Sequence, residues 1–230
     1  MEADNPAWML IGHFSIGGVL WCVGRTVPAL GHLLRAQAIY DEKLHAPIAY
    51  VYGEDFGVWT LGILATVQLS AGYPDRASGN LREAIALARR LNHPLSVCNA
   101  LLFNSLNSYY LRDWMPARAS IEEAHDLAVE YGFAQYFAST ASVRAHILAR
   151  LGSVKEGIDL AREGIAAWQA VGAAINLPFG LTALAESLLA AGQMTAALDE
   201  TDQALFWIDR SGEHVSESYV HCCRGDISAR

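Results

Sequence analysis

The sequence predicts an all-α solenoid, a stack of antiparallel helix pairs, from the regular spacing of its helix-breaking residues. Short turn-like blocks begin at Gly72, Arg112, Gly152 and Gly192, a constant step in the numbering. A second breaker lies midway through each step, at Asn92, Gly132, Gly172 and Gly212. A fixed period of this size is typical of stacked helix pairs. Apolar residues between the breakers follow the period of a helix, so we expect about eleven helices and no sheet.

Small residues recur in register between these breakers. They are Ala65, Ser105, Ala145 and Ala185 in the first helix of each unit, Ala77, Ala117, Gly157 and Ala197 at the start of the second helix, and Ala84, Ala124, Gly164 and Ala204 two turns further along that helix. A small side chain lets two helix backbones approach closely, so that the ridges of one helix enter the grooves of the other. We therefore expect these positions to lie at buried contacts between helices.

This register resembles the tetratricopeptide repeat. That family places a small residue in the first helix, Gly at the turn between the helices, and Ala five and twelve positions after that Gly; here these positions are Ala65, Gly72, Ala77 and Ala84. The standard unit of the family has about 34 residues. The longer unit found here, with aliphatic residues at most of the aromatic positions of the family, fits longer helices. The resemblance implies a right-handed superhelix.

The repeats cover nearly the whole chain and predict one helical-repeat domain over residues 1–230. The predicted units are 8–45, 55–92, 94–132, 134–172 and 174–212, followed by a terminal helix at 215–228. Gly24 opens an earlier turn of the same kind, but it precedes Gly72 by more than one regular period. The additional residues place an insertion at 41–55.

The insertion contains His45, Tyr50, Tyr52 and Asp55, and two interpretations of these residues stay open. In the first, Asp55 caps the next helix, Gly53 turns the chain and the tyrosines cover an exposed helix end. In the second, the insertion is functional and its aromatic and charged side chains line the mouth of a groove, because a long connection in a strict repeat often carries function.

Composition restricts the function classes. Hydrophobic residues make up 53% of the chain and charged residues 17%, and the terminal units lack polar capping helices. Repeat stacks need such caps for solubility, so we expect a part of a larger protein, or a chain that docks on a partner or forms a homo-oligomer through its uncapped ends. The net charge of −8 argues against nucleic-acid binding. The four cysteines show no metal spacing, which favours a reduced, cytoplasmic compartment.

An apolar segment over residues 8–24 is near the lower length limit for a membrane span, and it is either a buried repeat helix or a membrane span or signal. Its register matches a repeat helix with Gly17 at the small position, so the repeat helix is favoured. We therefore expect no membrane association.

No catalytic, cofactor or metal site can be assigned from the sequence. There is no phosphate-binding loop and no zinc-binding His-Glu-x-x-His helix. Glu122, Glu123, His125 and Asp126 form a cluster that is either a solvated helix face or a metal or acid–base site, and the register favours the solvated face. His214, His221, Cys222 and Cys223 are either a fraying terminal helix or metal ligands, and the fraying helix is favoured.

A second resemblance rests on a string of motifs in chain order. They are Tyr40-Asp41, His45, Tyr-Gly-Glu-Asp-Phe-Gly-Val at 52–58, Gly-Tyr-Pro-Asp-Arg-Ala at 72–77 and Leu-Asn-His-Pro at 91–94. This string resembles the C-terminal repeat region of bacterial proteins that fuse a class III adenylate or guanylate cyclase to an ATPase module, and the arrays of related ATPase transcription regulators. The resemblance implies a sensing or autoinhibitory arm. None of the metal-binding aspartates of the cyclase can be placed in this sequence, so we expect no enzyme activity.

The tetratricopeptide resemblance also implies a partner-binding groove lined by the first helices. The groove positions carried over from the family are Trp59, Thr66, Asn99, Tyr109, Tyr110, Ser139, His146, Arg150, Phe179 and Glu186. Aromatic rings beside Asn, Arg and Glu suit a peptide, a helix or a sister domain, although some rings could simply fill the interior. The alternative hypothesis is a small-molecule sensor that uses the groove near the insertion.

Overall fold

The chain divides into two units, Met1–Asn107 and Ser108–Arg230, and the computed structural model describes residues 5–172 and 174–229 of it. Unit 1 contains α1 (Pro6–Cys22), α2 (Thr26–Ile39), α3 (Glu42–His45), a 3₁₀ segment (Ala46–Ile48), α4 (Ala49–Tyr52), α5 (Phe56–Ser70), α6 (Pro74–Leu91) and most of α7 (Pro94–Tyr110). Unit 2 contains α8 (Trp114–Glu130), α9 (Ala134–Arg150), α10 (Val154–Ala170), α11 (Leu177–Ala190), α12 (Met194–Ser211) and α13 (Glu217–Ser228).

The helices confirm the predicted fold class. No strand occurs among the described residues, and eleven of the helices are long, as the repeat predicts. The three short helical segments between α2 and α5 are additional, and they all lie in the insertion.

The small residues of the repeat lie where the register places them. Ala65, Ala145 and Ala185 of the first helices are fully buried, and so are Ala84 and Ala204 of the second helices. A Cβ atom added to Gly164 would lie 3.2 Å from the Cβ of Ala141, so the backbones of α9 and α10 are in close approach at this point. This confirms that the small residues mark the contacts between helices.

The turns between helices use residues in the left-handed conformation, including some that are not glycine. Gly72 and Gly152 have φ values of 87° and 90°, and Gly192 has 76°. Arg112 occupies the equivalent position with a φ of 60°, a conformation that is uncommon for a residue with a Cβ atom. The sequence pattern is weakest at this turn, yet Arg112 adopts the same backbone conformation as the glycines that it replaces.

In unit 1, α1 packs on α2, α2 packs on α5, and α5 packs on α6. Leu10 and Phe14 of α1 are buried against Leu33 of α2. Gly17 permits this approach, because a Cβ atom at that position would lie 2.7 Å from the Cγ of Leu33. The apolar segment 8–24 is thus a repeat helix. Among the described residues, we find no helix with both the length and the apolar character that a membrane span requires.

The insertion is folded into short helical segments. It forms α3, the 3₁₀ segment and α4, and it ends at Gly53, which has a φ of 84°. The Asp55 carboxylate accepts a hydrogen bond of 2.8 Å from the Val58 backbone N–H and so caps α5. Tyr50 and Tyr52 are both exposed. These features agree with the first interpretation of the insertion, in which Asp55 and Gly53 act structurally.

Unit 2 stacks its helices in chain order, each packed against the next from α8 to α13, and α9 also contacts α11. Trp168 of α10 is fully buried beside Leu177 and Leu181 of α11. The terminal helix α13 is docked rather than frayed, because Val220, Cys223 and Ile227 along one of its faces are buried.

Candidate partner-binding site

Seven side chains converge in unit 2, and we call this set the Glu186 cluster. It consists of Tyr109 and Tyr110 from the end of α7, His146 and Arg150 from α9, Phe179 and Glu186 from α11, and Tyr219 from α13. All four helices are first helices of their repeat units. His146 and Glu186 are one repeat period apart, as are Phe179 and Tyr219, so the repeat itself places these pairs on neighbouring helices.

The buried carboxylate of Glu186 is the centre of the cluster. Its Oε2 atom accepts a hydrogen bond of 2.9 Å from the Tyr109 hydroxyl and lies 2.8 Å from Nδ1 of His146. Its Oε1 atom accepts a hydrogen bond from the Arg150 guanidinium. Both carboxylate oxygens therefore have partners, which a charge removed from water requires.

These partners keep Glu186 ionised. Burial by itself raises the pKa of Glu186, but the hydrogen bond from His146 and the positive charges of His146 and Arg150 outweigh burial and lower that pKa to about 2. The same environment acts in the opposite direction on the tyrosines, because burial and the nearby carboxylate raise the pKa of Tyr109 far above its ordinary value. At neutral pH the cluster thus holds a carboxylate beside neutral phenols.

His146 is held from both sides of its ring. Its Nδ1 faces the Glu186 carboxylate, and its Nε2 lies 3.3 Å from the backbone carbonyl of Phe179. Each ring nitrogen of His146 therefore has a polar partner. The ring of Phe179 packs against the imidazole with a centroid separation of 4.5 Å, and Tyr219 stacks on Phe179 at 6.3 Å.

Two side chains of the cluster reach solvent. The side chain of Arg150 is 44% exposed although it contacts Glu186, and Tyr110 is 39% exposed. A guanidinium carries five N–H donors in a planar fork, so the exposed part of Arg150 retains donors for a further acceptor. Tyr110 adds an aromatic surface, and its ring packs edge-on against Tyr109 and Tyr219. The result is an exposed cation and an exposed aromatic ring, each in contact with buried members of the cluster.

Tyr219 belongs to the cluster but was not among the predicted groove residues. Its hydroxyl contacts the hydroxyl of Tyr109. The hydroxyl of Tyr219 thus lies beside the one that donates to Glu186. A signal for it was present, since extending the series Asn99, Ser139 and Phe179 by one more repeat arrives at residue 219.

The remaining predicted groove residues belong to other surroundings. Trp59, Thr66 and Asn99 lie in unit 1, where Trp59 packs on Phe14 with a centroid separation of 4.7 Å. Thr66 is buried and accepts a hydrogen bond of 2.9 Å from Asn107. Asn99 is also buried and donates to the Glu54 carboxylate at 3.2 Å. Ser139, in unit 2, is half-buried and donates to the Gln135 carbonyl of its own helix.

Two of the insertion residues, His45 and Asp55, are buried and both contact Tyr40. His45 is buried, and its ring stacks on Tyr40 with a centroid separation of 5.7 Å. The hydroxyl of Tyr40 donates a hydrogen bond of 2.9 Å to Asp55. Burial raises the pKa of Asp55, against the hydrogen bonds from Val58 and Tyr40 that lower it. Asp55 and His45 are therefore internal, whereas Tyr50 lies outside and meets the His93 ring edge-on at 5.6 Å.

One cavity lies beside the insertion. Its volume is about 420 Å³, and it lies between the segment 42–50 and the turn that joins α6 to α7. Glu42 and Arg90 form an ion pair at its wall, with an Nη2–Oε2 distance of 2.8 Å, while Tyr50 and His93 contribute ring edges and Pro47 an apolar surface. This composition is mixed in charge and suits a small polar molecule with an aromatic or apolar part.

The structure corrects the expectation for His125. The register places the stretch Glu122–Asp126 on a solvated face, but His125 is buried, and its Nδ1 lies 3.0 Å from the Thr140 hydroxyl on α9. Burial lowers the pKa of His125. The described residues contain no group of three or more His, Cys, Asp or Glu side chains arranged to hold a metal ion, and this holds for the His214–Cys223 stretch as well.

Comparison with known proteins identifies the fold. No protein-family model matches the sequence, and no curated protein matches it. Among solved structures, a Rap protein complexed with Competence and Sporulation Factor superposes with a TM-score of 0.66 and 16% identity, over 99% of this chain and 66% of that one. A STAND signal-transduction ATPase with a tetratricopeptide repeat sensor, from Pyrococcus horikoshii, gives 0.64 and 15%, over 94% of this chain and 32% of that one.

A third structure is matched over its whole length. The tetratricopeptide repeat protein from Thermus thermophilus superposes with a TM-score of 0.57 and 18% identity, over 96% of this chain and all of that one. The present chain spans just under two thirds of the Rap protein and about a third of the STAND protein. The chain therefore has an all-α, tetratricopeptide-like repeat fold, and identities this low establish the fold alone.

Proposed function

We propose that this chain is a non-catalytic interaction module of a bacterial signalling protein, which binds a peptide, a helix or a sister domain through the first helices of unit 2. The observation that carries the proposal is the exposure of Arg150, which is paired with the buried Glu186 carboxylate, together with that of Tyr110, which packs on Tyr109 and Tyr219. Hot spots of protein interfaces are enriched in Arg and Tyr held in place by well-packed neighbours. Because Arg150 and Tyr110 are already held by their neighbours, ordering these two side chains adds little entropic cost to the binding of a partner.

The protonation state of the cluster supports a binding role over a catalytic one. A general base works best when its pKa is near the working pH, whereas that of Glu186 is lowered to about 2. The raised pKa of Tyr109 keeps this phenol neutral, and its proton is already donated to Glu186. The buried groups of the cluster are hydrogen-bonded to one another. The groups available to a ligand are the outer N–H donors of Arg150 and the ring of Tyr110.

The chemistry of these two groups defines the partner. Arg150 suits a carboxylate, which a guanidinium can bind with two parallel N–H donors. Tyr110 suits an aromatic or aliphatic side chain close to that carboxylate. We therefore propose a peptide segment with an acidic residue next to a large apolar one. Two structures of the same fold support a binding role in signalling: the Rap protein is complexed with Competence and Sporulation Factor, and the STAND signal-transduction ATPase carries a tetratricopeptide repeat sensor.

We further propose that the module works in the cytoplasm as the sensing or autoinhibitory arm of a larger polypeptide. The motif string from Tyr40 to Pro94 supports this, because it resembles the repeat region of cyclase–ATPase fusion proteins. In such an arrangement a sister domain would present the acidic and apolar side chains to Arg150 and Tyr110.

A selection with a phage-displayed library of short linear peptides tests the proposed site. Peptides selected on the full chain are expected to contain an acidic residue beside an aromatic or aliphatic one. The double variant Arg150→Ala/Tyr110→Ala is expected to bind the selected peptides at least about tenfold more weakly in calorimetric titration, because it removes both an ionic and an aromatic contact. Arg150→Lys is expected to weaken binding less, since it keeps the charge and loses the planar fork.

Unit 2 offers a matched control for this experiment. Arg118 and Tyr131 are 48% and 50% exposed, close to the values of Arg150 and Tyr110, and lie outside the Glu186 cluster. Arg118→Ala/Tyr131→Ala should bind the peptides with wild-type affinity. Unchanged binding by the Arg150/Tyr110 variant would show that the site is elsewhere. Cooperative unfolding at a much lower temperature would show instead that these side chains serve the interior.

A second candidate function, small-molecule sensing, is favoured by the cavity of about 420 Å³ beside the insertion. Its test is a thermal-shift screen of the full chain against amino acids, nucleotides and aromatic acids. A true sensor ligand should raise the melting temperature of the wild type and of Arg150→Ala, but not that of Tyr50→Ala, because Tyr50 lies at the edge of the cavity and Arg150 belongs to unit 2. Equal shifts for Tyr50→Ala and the wild type would exclude this cavity.

A further inference from the structure

Helix α1 exposes an apolar face that its own unit does not cover. Leu10, Phe14 and Gly17 point into unit 1, while Trp8, Ile16, Val19 and Val23 are exposed on the other side. Val19 is 63% exposed, and the helix Pro6–Cys22 contains no Asp, Glu, Lys or Arg. A helix that is apolar on all sides is normally buried on all sides. The exposed face therefore indicates a contact surface.

The residues of this face are complementary to a second copy of the face in reverse order. Six residues lie along it: Trp8, Gly12, Ser15, Ile16, Val19 and Val23. In an antiparallel pair of α1 helices with a two-fold axis between Ser15 and Ile16, Trp8 faces Val23 of the other copy, Gly12 faces Val19 and Ser15 faces Ile16. Each larger side chain meets a smaller one, which is the condition for close packing of two helices.

Charge and space also favour this pairing. A two-fold interface brings the same surface from both copies together, and the uncharged α1 face places no like charges opposite each other. A Cβ atom added to Gly12 would meet nothing within 4 Å, so the surface above Gly12 is open to receive the Val19 side chain of the other copy. We propose that this face forms an antiparallel, two-fold α1–α1 interface between two copies of the chain.

A membrane surface fits the same face less well. Helices that lie on membranes combine an apolar face with Lys and Arg on the polar side, which bind anionic headgroups. Helix α1 has no Lys or Arg, and the chain carries a net charge of −8. The chemistry of the face thus favours an apolar, uncharged protein surface as its partner. The complementarity of its residues in antiparallel order favours the same face of a second copy of the chain.

Analytical ultracentrifugation of the full chain tests the interface. The wild type is expected to sediment as a dimer, with twice the 25.0 kDa mass of one chain, and Val19→Glu as a monomer, because the substitution would bury a carboxylate opposite Gly12. Val129→Glu is the matched control, since Val129 is 59% exposed on α8 of unit 2; it should stay dimeric. Far-UV circular dichroism of all three proteins establishes that each is folded.

Cross-linking tests the register of the pair. In a Cys222→Ser background, Ser15→Cys lies next to the proposed two-fold axis and should form a covalent dimer on mild oxidation, whereas Ser218→Cys on the exposed side of α13 should not. A monomeric wild type overturns the proposal, whether or not it sediments with vesicles of phosphatidylcholine and phosphatidylserine. A wild-type dimer that survives Val19→Glu also overturns it, because the interface would then lie elsewhere.

Discussion

Replacing Glu186 by Gln is expected to lower the free energy of unfolding by about 3 kcal/mol at neutral pH. The substitution keeps the shape of the side chain but removes the negative charge that faces His146 and Arg150. His146 is fully buried, so its ring would lose its principal charged acceptor without access to water. Removal of one partner from a buried ion pair is costly for this reason. Urea unfolding followed by circular dichroism measures the change.

The pH dependence of this effect has a defined sign. Glu186 has a lowered pKa of about 2 in the folded chain, against an ordinary value of 4.5. The ionised side chain therefore stabilises the fold above about pH 4.5, and this stabilisation is lost as the pH falls towards 2. Glu186→Gln should flatten stability over that acidic range. Glu156→Gln is the control, because Glu156 forms an exposed ion pair with Arg144 and should change stability by less than about 1 kcal/mol. Similar losses for both variants would contradict the role assigned to Glu186.

Replacing Glu213 by Gln is expected to have the opposite effect and to raise the free energy of unfolding by about 2–3 kcal/mol at pH 8. Glu213 lies between α12 and α13 and is 4% exposed. Its Oε2 accepts a hydrogen bond of 2.8 Å from the Asn176 backbone N–H, while its Oε1 is buried without a hydrogen-bond partner among the described residues. Burial raises the pKa of Glu213 to about 7, and the hydrogen bond from Asn176 offsets only part of that rise. At pH 8 the chain therefore holds a poorly solvated negative charge.

For Glu213 the stability falls as the pH rises. The unfolded chain releases this proton near pH 4.5 and the folded chain near pH 7, so unfolding becomes more favourable across that interval. Glutamine can still accept the Asn176 hydrogen bond and carries no charge, so Glu213→Gln should match the wild type at pH 4 and exceed it at pH 8. Glu130→Gln, at an exposed position on α8, is the control and should follow the wild type at both values. A variant without any gain at pH 8 would show that Glu213 is solvated.

Local and periodic features were predictable from the sequence. The regular spacing of the breakers indicated the helix pairs, and the small residues Ala65, Ala145 and Ala185 marked the helix contacts. Residue type and spacing along the chain are enough to predict both of these features. The cap at Asp55 followed from the same logic, since a cap depends on residues next to one another. These predictions needed no knowledge of how distant parts of the chain meet.

The groove prediction was incomplete because the repeat register gives the face of the helix on which a residue lies, but not how deeply that residue is buried. Thr66 and Asn99 are internal, whereas Arg150 and Tyr110 reach solvent from equivalent helices. Tyr219 was missed because its repeat unit has only a first helix in this sequence. His125 was placed on a solvated face, yet it is buried beside Thr140, because α9 covers that side of α8.

The sequence by itself determined the helical class, the period, the turns and the small residues at the helix contacts, since all of these depend on residues close together in the chain. The tertiary structure decided the chemistry. It brought Tyr109, His146 and Glu186 together from three helices and, by removing them from water, set the pKa values of Glu186 and Glu213 in opposite directions. It also left one face of α1 uncovered. Burial and charge pairing depend on distances in space between residues far apart in sequence, and packing alone fixes those distances.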